Sequence, residues 1–278
     1  MIGLALEGGG ARGAYHIGVV KAYLENGYEF DGFVGTSIGA INAAILAQGS
    51  IDKATEIWQN ITMAQLFDAQ ERHILEIIEH GAFKLDKLSL EKARKAAAKI
   101  IRGGGVSTKK IEALLKKYID EDKIRKSGKD FGLVTVAVDK FKPYELMLKD
   151  IADGELVDYI MASASIPGFR PKVIEKHKYI DGAFYNNCPV NLLVKNGYER
   201  VIAVRTFSLG ILREIDGDAQ VTIVTHSRSL GNIMLFSQKA CTENIELGYN
   251  DGINSIRNPH NAHTHWHHAK LSKKTVGK

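Results

Sequence analysis

Hydrophobic and polar positions along the chain follow two alternating periods. Ile2–Leu6 is a nearly continuous apolar run, of the length expected for a buried strand. Glycines follow it, and then Ala14–Glu25 carries apolar residues at helical spacing, stopped by Asn26 and Gly27. A second apolar run at 30–34 predicts a strand over 32–34, and residues 40–48 read as the next helix, ending at Gly49. Strand, helix, strand and helix in this order predict a parallel pair. Both glycine-rich turns then lie at one edge of the sheet, where open α/β sheets bind ligands.

From Ile51 to Lys129 the pattern is helical throughout. Ile57 and Ile61, then Ile74, Ile77 and Ile78, then Leu114, Leu115 and Tyr118 recur at helical spacing, and no stretch reads as a strand. Gly103, Gly104 and Gly105 interrupt this region; no strand precedes them, so they read as a joint and not as a phosphate loop. Residues 131–138 return to a β-branched apolar run suited to a central strand, with 144–149 as its partner. A helix at 155–164, a short strand at 177–180 that ends on Asp181, and a helix at 189–196 stopped by Gly197 come next. Strands at 201–205 and 221–225 and a long helix at 229–247 complete the pattern, without internal repeats. The expected organisation is one α/β domain over 1–258, with a helical insert at about 51–129 acting as a cap, and a disordered tail at 259–278.

Composition changes this picture little. The 278 residues are 45% hydrophobic and 25% charged, as in an ordinary globular protein. Charge is unevenly placed: residues 84–129 hold 15 Lys and Arg against 6 Asp and Glu, whereas the whole chain is only +5, so the remainder is net negative. A basic helical insert is either a solvated face or a contact for anionic lipid head groups. Few aromatics interleave with these charges, which argues against nucleic acid. Cys188 and Cys241 have no metal-site spacing and read as buried apolar residues of a reducing compartment. Met1 leads straight into the first strand, with no signal-peptide pattern and no run of about 18 apolar residues, so the expected location is cytoplasmic with peripheral membrane contact. Five of the ten histidines fall in the tail, at His260, His263, His265, His267 and His268. Such a tract suits divalent metal, but a disordered basic end accounts for it more simply.

Candidate chemistry sits in the two glycine turns and at one later aspartate. Gly35-Thr36-Ser37-Ile38-Gly39 reads G-x-S-x-G between a strand and a helix, the requirement for a nucleophile elbow. Ser37 would stand at a helix N-terminus, where unpaired N–H groups favour developing negative charge. Gly8-Gly9-Gly10-Ala11-Arg12-Gly13 follows the first strand, and its backbone N–H groups suit an anion-binding nest. It lacks the G-K-[ST] ending of a P-loop, and the acidic residue expected of a dinucleotide site is replaced by Asp31-Gly32 running into the serine motif. Downstream, Asp181-Gly182-Ala183 closes a short strand.

Together these motifs resemble the patatin-like phospholipase family. The likeness rests on Gly8 to Gly13, Gly35 to Gly39, Asp181 to Ala183, and the segment Ala162 to Phe169, in that order over residues 3 to about 206. The resemblance implies a three-layer α/β/α fold with a mostly parallel central sheet. It makes Ser37 the nucleophile and Asp181 its partner in a catalytic dyad. It assigns Gly8, Gly9, Gly10 and Arg12 to the oxyanion hole, with Gly13, Gly35, Gly39 and Gly182 supporting the motifs. It implies a lipid or phospholipid substrate and no metal or other cofactor. Arg12 would either contact a phosphate or hold the loop. Alternatives are an acyltransferase using the same acyl-enzyme, and a regulatory protein that keeps the fold. A Ser–Asp–His triad would need His226, the one histidine following Asp181 beside a predicted strand. Too few strands precede Ser37 for an α/β-hydrolase. His16, Asn42 and Asn187 read as packed or backbone-bonding residues. Oligomeric state, head group and chain length are not encoded in any of these motifs.

Overall fold

The computed structural model describes residues 1–69, 71–73, 75, 104–140 and 142–258. Ile74, Ile77, Ile78, Gly103, residues 84–103 of the basic run and the histidine-rich tail lie outside the described residues. The parallel body of the sheet joins β3 (Asp130–Ala137), β2 (Gly32–Thr36), β1 (Ile2–Leu6), β7 (Arg200–Val204) and β8 (Gln220–Val224). β4 (Lys142–Met147), β5 (Lys172–Ile174) and β6 (His177–Asp181) add antiparallel pairings, making eight strands among the described residues. β5 is absent from the sequence reading, because a three-residue strand next to Pro171 leaves no periodic signal.

Side-chain alternation along the strands divides the core into two layers. Leu4, Leu6, Ile202 and Val204 face one side, where α1 (Ala14–Glu25), α2 (Ile38–Ala47), α3 (Ile51–Asn60) and further helices cover them. Ala5, Val34, Val201 and Ala203 face the other, against Leu192 and Leu193 of a short helix at Val190–Val194 and against Tyr198. The fold is therefore three-layered α/β/α, with one heavy and one thin helical layer.

The ends of the 51–129 segment belong to the main body. Ala54 and Trp58 of α3 are in the central core, as are Leu115, Ile119 and Ile124 from a short turn-helix region that follows. Within it, α4 (Met63–Leu66), α5 (Lys109–Tyr118) and α6 (Glu121–Lys126) are helical as the spacing predicts. Gly105 and Val106 are not a loose joint. Val106 pairs with Phe169, donating to the Gly168 carbonyl at 2.7 Å and accepting from Arg170 N–H at 3.0 Å.

α7 (Leu156–Ser163) and α8 (Val190–Val194) match expectation, but the last helix does not. α9 spans Gln238–Arg257, displaced from the expected 229–247. Its start is set by Ser237, whose hydroxyl caps Ala240 N–H at 3.2 Å. Its continuation past Leu247, through Gly248 and Gly252, has a packing cause. A Cβ at Gly248 would strike the Tyr15 carbonyl, and one at Gly252 would crowd the Val19 backbone, so these glycines permit close crossing with α1. Residues 229–237, freed from the helix, form a loop above the sheet. Among the described residues no helix is long and apolar enough to cross a membrane.

Candidate active site

β3 organises the site through its pairing. On one edge it pairs with β4 from Gly132 to Ala137. On the other it pairs with β2 as far as Thr36↔Val134, and then with β6 from Asp181↔Thr135. β2 and β6 thus approach head-on along the same edge, and their ends deliver Ser37 and Asp181 to one point. A Cβ at Gly182 would collide with the Val134 carbonyl, which explains the glycine after the aspartate.

Ser37 adopts φ 57° and ψ −125°, a left-handed conformation that non-glycine residues avoid. The turn is tight: a Cβ at Gly35 would strike the Gly39 backbone, and one at Gly39 would strike the Leu6 carbonyl. Ser37 N–H, turned out of the helical ladder, donates to Ser163 Oγ at 2.9 Å. The N–H groups of Ile38 and Gly39 open α2 with no partner among the described residues. Ser37 is 7% exposed and lines the same cavity as Asp181.

Asp181 is 2% exposed. Burial pushes its carboxyl up to about 6, partly opposed by the Ser37 hydroxyl and by a hydrogen bond from Ala183 N–H at 2.8 Å. Its own N–H is fixed on the Ser165 carbonyl at 2.9 Å. His226 lies elsewhere: its ring packs on Phe207 and Tyr15, and its Nδ1 bonds the Arg228 carbonyl at 2.7 Å. His16 is fully buried beside Asn42, and burial lowers its imidazole to about 3. Asn42 meets the Gly13 carbonyl and also accepts from the Trp58 indole at 2.9 Å.

The glycine loop faces Ser37 with its members in different situations. Gly8 N–H is spent on the Asn187 carbonyl at 3.0 Å, so Gly8 contributes close approach and not a donor. The N–H groups of Gly9 and Gly10 have no partner among the described residues, and both residues line the cavity at Ser37. Gly10 sits at φ 55°, and a Cβ there would strike the Ile233 carbonyl. Arg12 holds the loop: it donates to the carbonyls of Gly231 (2.9 Å), Thr206 (3.2 Å) and Phe207 (3.3 Å).

A residue without a motif anchors all of this. Glu7, fully buried, accepts from Arg205 Nε (2.9 Å), Thr206 N (2.6 Å), Phe207 N (3.0 Å) and Asn187 Nδ2 (3.2 Å). It ties the glycine loop to the end of β7 and to the segment that follows Asp181. Thr36 Oγ1 bonds the Asn186 carbonyl at 2.7 Å and closes the same network. The contacts of Glu7 and of Ser163, the latter inside the Ala162–Phe169 motif, escaped the sequence reading because their partners lie 198 and 126 residues away.

Above Ser37 and Asp181 opens a cavity of about 640 Å³. Ile38 and Ile41 of α2, Phe67, Met161, Phe169 and Phe236 are among the mostly apolar side chains that line it. The 229–237 loop contributes Phe236, which stacks on Trp58.

The sequence profile described as patatin-like phospholipase matches residues 4–194, which include the site residues from Glu7 to Asn187. The chain belongs to the patatin-like phospholipase family. It is 27% identical over 214 residues to the neuropathy target esterase sws of Drosophila melanogaster, covering 73% of this chain and 13% of that protein. It is 29% identical over 210 residues to an NTE family protein of Mycobacterium tuberculosis, covering 74% of this chain and 31% of the relative. The patatin-like chain thus spans less than a third of the length of either relative. Among solved structures it resembles VipD from Legionella pneumophila, with a TM-score of 0.57 at 14% identity, over 92% of this chain and 66% of that one. That likeness concerns the fold. Cys188 and Cys241 of this patatin-like domain are buried and unbridged.

Proposed function

We propose that the chain is a serine acyl hydrolase that cleaves fatty-acyl esters of lipids, working as a single unit over residues 1–258. The observation that carries this reading is Ser37, at a left-handed elbow, sharing the floor of an apolar cavity with a buried Asp181. Family membership supports the same class of reaction.

In this mechanism Ser37 Oγ attacks the ester carbonyl carbon as Asp181 takes its proton. The carbonyl oxygen gains negative charge, and the N–H groups of Gly9 and Gly10 stabilise it, assisted by the start of α2. As the tetrahedral intermediate collapses, the bond to the alcohol oxygen breaks and Asp181 returns the proton to the leaving alcohol. Water then attacks the acyl-enzyme and gives a proton to Asp181. The second collapse releases the fatty acid, and the proton returns to Ser37 Oγ. A carboxylate of ordinary pKa, about 3.9, is a weak base for this task. Raised to about 6, Asp181 is a better one. The roles of Gly13, Gly35, Gly39 and Gly182 are steric, holding the turns close.

Hydrolysis of a short-chain p-nitrophenyl ester by the wild type, Ser37→Ala and Asp181→Asn tests the reading. Loss of at least about 10³-fold in kcat is expected in both folded variants. A Ser37→Ala variant that keeps wild-type activity would overturn it. Full activity in Asp181→Asn would require a different base.

A further inference from the structure

Eight large apolar side chains stand exposed among the described residues, and four of them surround one opening. Phe184 (48% exposed), Leu209 (94%) and Ile211 (50%) line the mouth of the Ser37 cavity. Leu235 (47%) lies between Met234 and Phe236, which line it as well. The other four, Met1, Leu24, Val138 and Val173, fall in separate parts of the chain. Exposed apolar residues scattered singly need no explanation, but a cluster around a cavity mouth does.

The lip is built to hold these side chains outward. Asn187 N–H donates to the Ile211 carbonyl at 2.6 Å and Ile211 N–H to the Ala183 carbonyl at 2.8 Å, strapping the 207–213 loop to the segment after Asp181. Leu209 at the tip of that loop therefore projects from a fixed base. The charges are zoned too. Segments 182–187, 207–213 and 232–237, which form the lip, contain no Asp, Glu or Lys and a single charged residue, Arg213. Arg213 is exposed and packs on the Tyr185 ring at 3.9 Å, while Arg170 lies exposed beside Phe169 of the cavity wall. An uncharged apolar centre with arginines at its margin is complementary to a bilayer, whose acyl region lies beneath a layer of phosphates.

We propose that this lip is a bilayer-docking surface: Leu209, Phe184, Ile211 and Leu235 enter the interfacial region of a phospholipid membrane and set the cavity mouth against it. The proposal rests on the reading of the cavity as an acyl-chain site. An ester lipid then passes from bilayer to cavity through a continuous apolar path, without its chain crossing water.

Flotation with phosphatidylcholine vesicles tests it, beside hydrolysis of a water-soluble short-chain ester. Wild type should float with neutral vesicles and stay bound in roughly 0.5 M salt, since the contact is apolar. Leu209→Asp and Leu235→Asp should each lower the bound fraction about tenfold, because a charge replaces an inserted leucine. Leu235→Asp should hydrolyse the soluble ester at the wild-type rate, which also reports that it folds. Variants that float like wild type would overturn the proposal. So would binding confined to phosphatidylglycerol vesicles and released by salt, which would assign contact to basic residues such as those of 84–129. A lip that instead joins two copies would show as a dimer dissociated by Leu235→Asp with vesicle binding unaffected, and would equally overturn it. Vesicle binding without any ester hydrolysis would remove the acyl-hydrolase reading and leave the docking surface standing. Soluble-ester hydrolysis without vesicle binding would do the reverse.

Discussion

Thr36 and Asp181 lie 145 residues apart in sequence, yet they pair with consecutive residues of β3, Val134 and Thr135. One strand runs toward that point and the other returns to it. The separation between Ser37 and Asp181 is thus set by backbone register, which is stiffer than any loop. Thr135 Oγ1 adds a 2.9 Å bond to the Ile180 carbonyl at the junction.

The raised carboxyl of Asp181 predicts a pH profile. A base must be deprotonated to act, so kcat/KM should climb with pH through an apparent pKa near 6 and level off above it. An ascending limb centred near 4 would contradict the buried setting of Asp181.

The same shift has a consequence for stability. A carboxyl whose pKa is higher folded than unfolded favours folding at low pH, and that contribution is lost as pH rises from about 4 through about 6. Asp181→Asn removes the buried charge while keeping its shape. The variant should therefore gain stability over wild type at pH 8, on the order of 2 kcal/mol, and little at pH 4. Thermal unfolding at the two pH values measures the difference. A Tm gain of equal size at both would point to packing and not to ionisation.

Glu7 is expected to matter most for stability. Its carboxylate and Arg205 are both buried, at 2.9 Å. Glu7→Ala takes the carboxylate away from the Arg205 guanidinium and from three backbone or amide donors, and should cost about 3–5 kcal/mol by urea unfolding. Replacing both partners with apolar residues should recover part of that loss, since no charge then stays uncompensated.

Arg12 spends its guanidinium on three carbonyls. Lysine cannot reproduce that fork. Arg12→Lys should lower kcat about tenfold on phospholipid and on an uncharged ester alike, by loosening the glycine loop. A loss confined to phospholipid would identify Arg12 as a phosphate contact.

At Gly39 the elbow leaves no room. Gly39→Ala should abolish ester hydrolysis and reduce folded yield, because the added methyl meets the Leu6 backbone carbonyl. Gly49→Ala, where nothing lies within 4 Å, is the control for loss of glycine as such; its φ of 73° adds only modest strain.

Local chemistry made much of this protein legible in its sequence. Apolar runs and glycine stops identified β1, β2, β3, β7 and β8, because buried parallel strands need continuous apolar residues. Gly35-Thr36-Ser37-Ile38-Gly39 marked the elbow, since only glycines fit the backbone approach on either side of Ser37. Where helices touch, local rules misled. α9 runs on past Leu247 because Gly248 and Gly252 are contact residues against α1, and its start at Gln238, nine residues later than expected, depends on the Ser237 cap. Tertiary structure alone decided how the candidate site was assembled. The sharing of one β3 edge by β2 and β6, the commitment of Gly8 N–H to Asn187, the anchoring by Glu7 and the Ser163 bond to Ser37 N–H all join residues distant in sequence. Periodicity reports which face of a strand or helix is buried, whereas these contacts depend on which strands become neighbours and in what register.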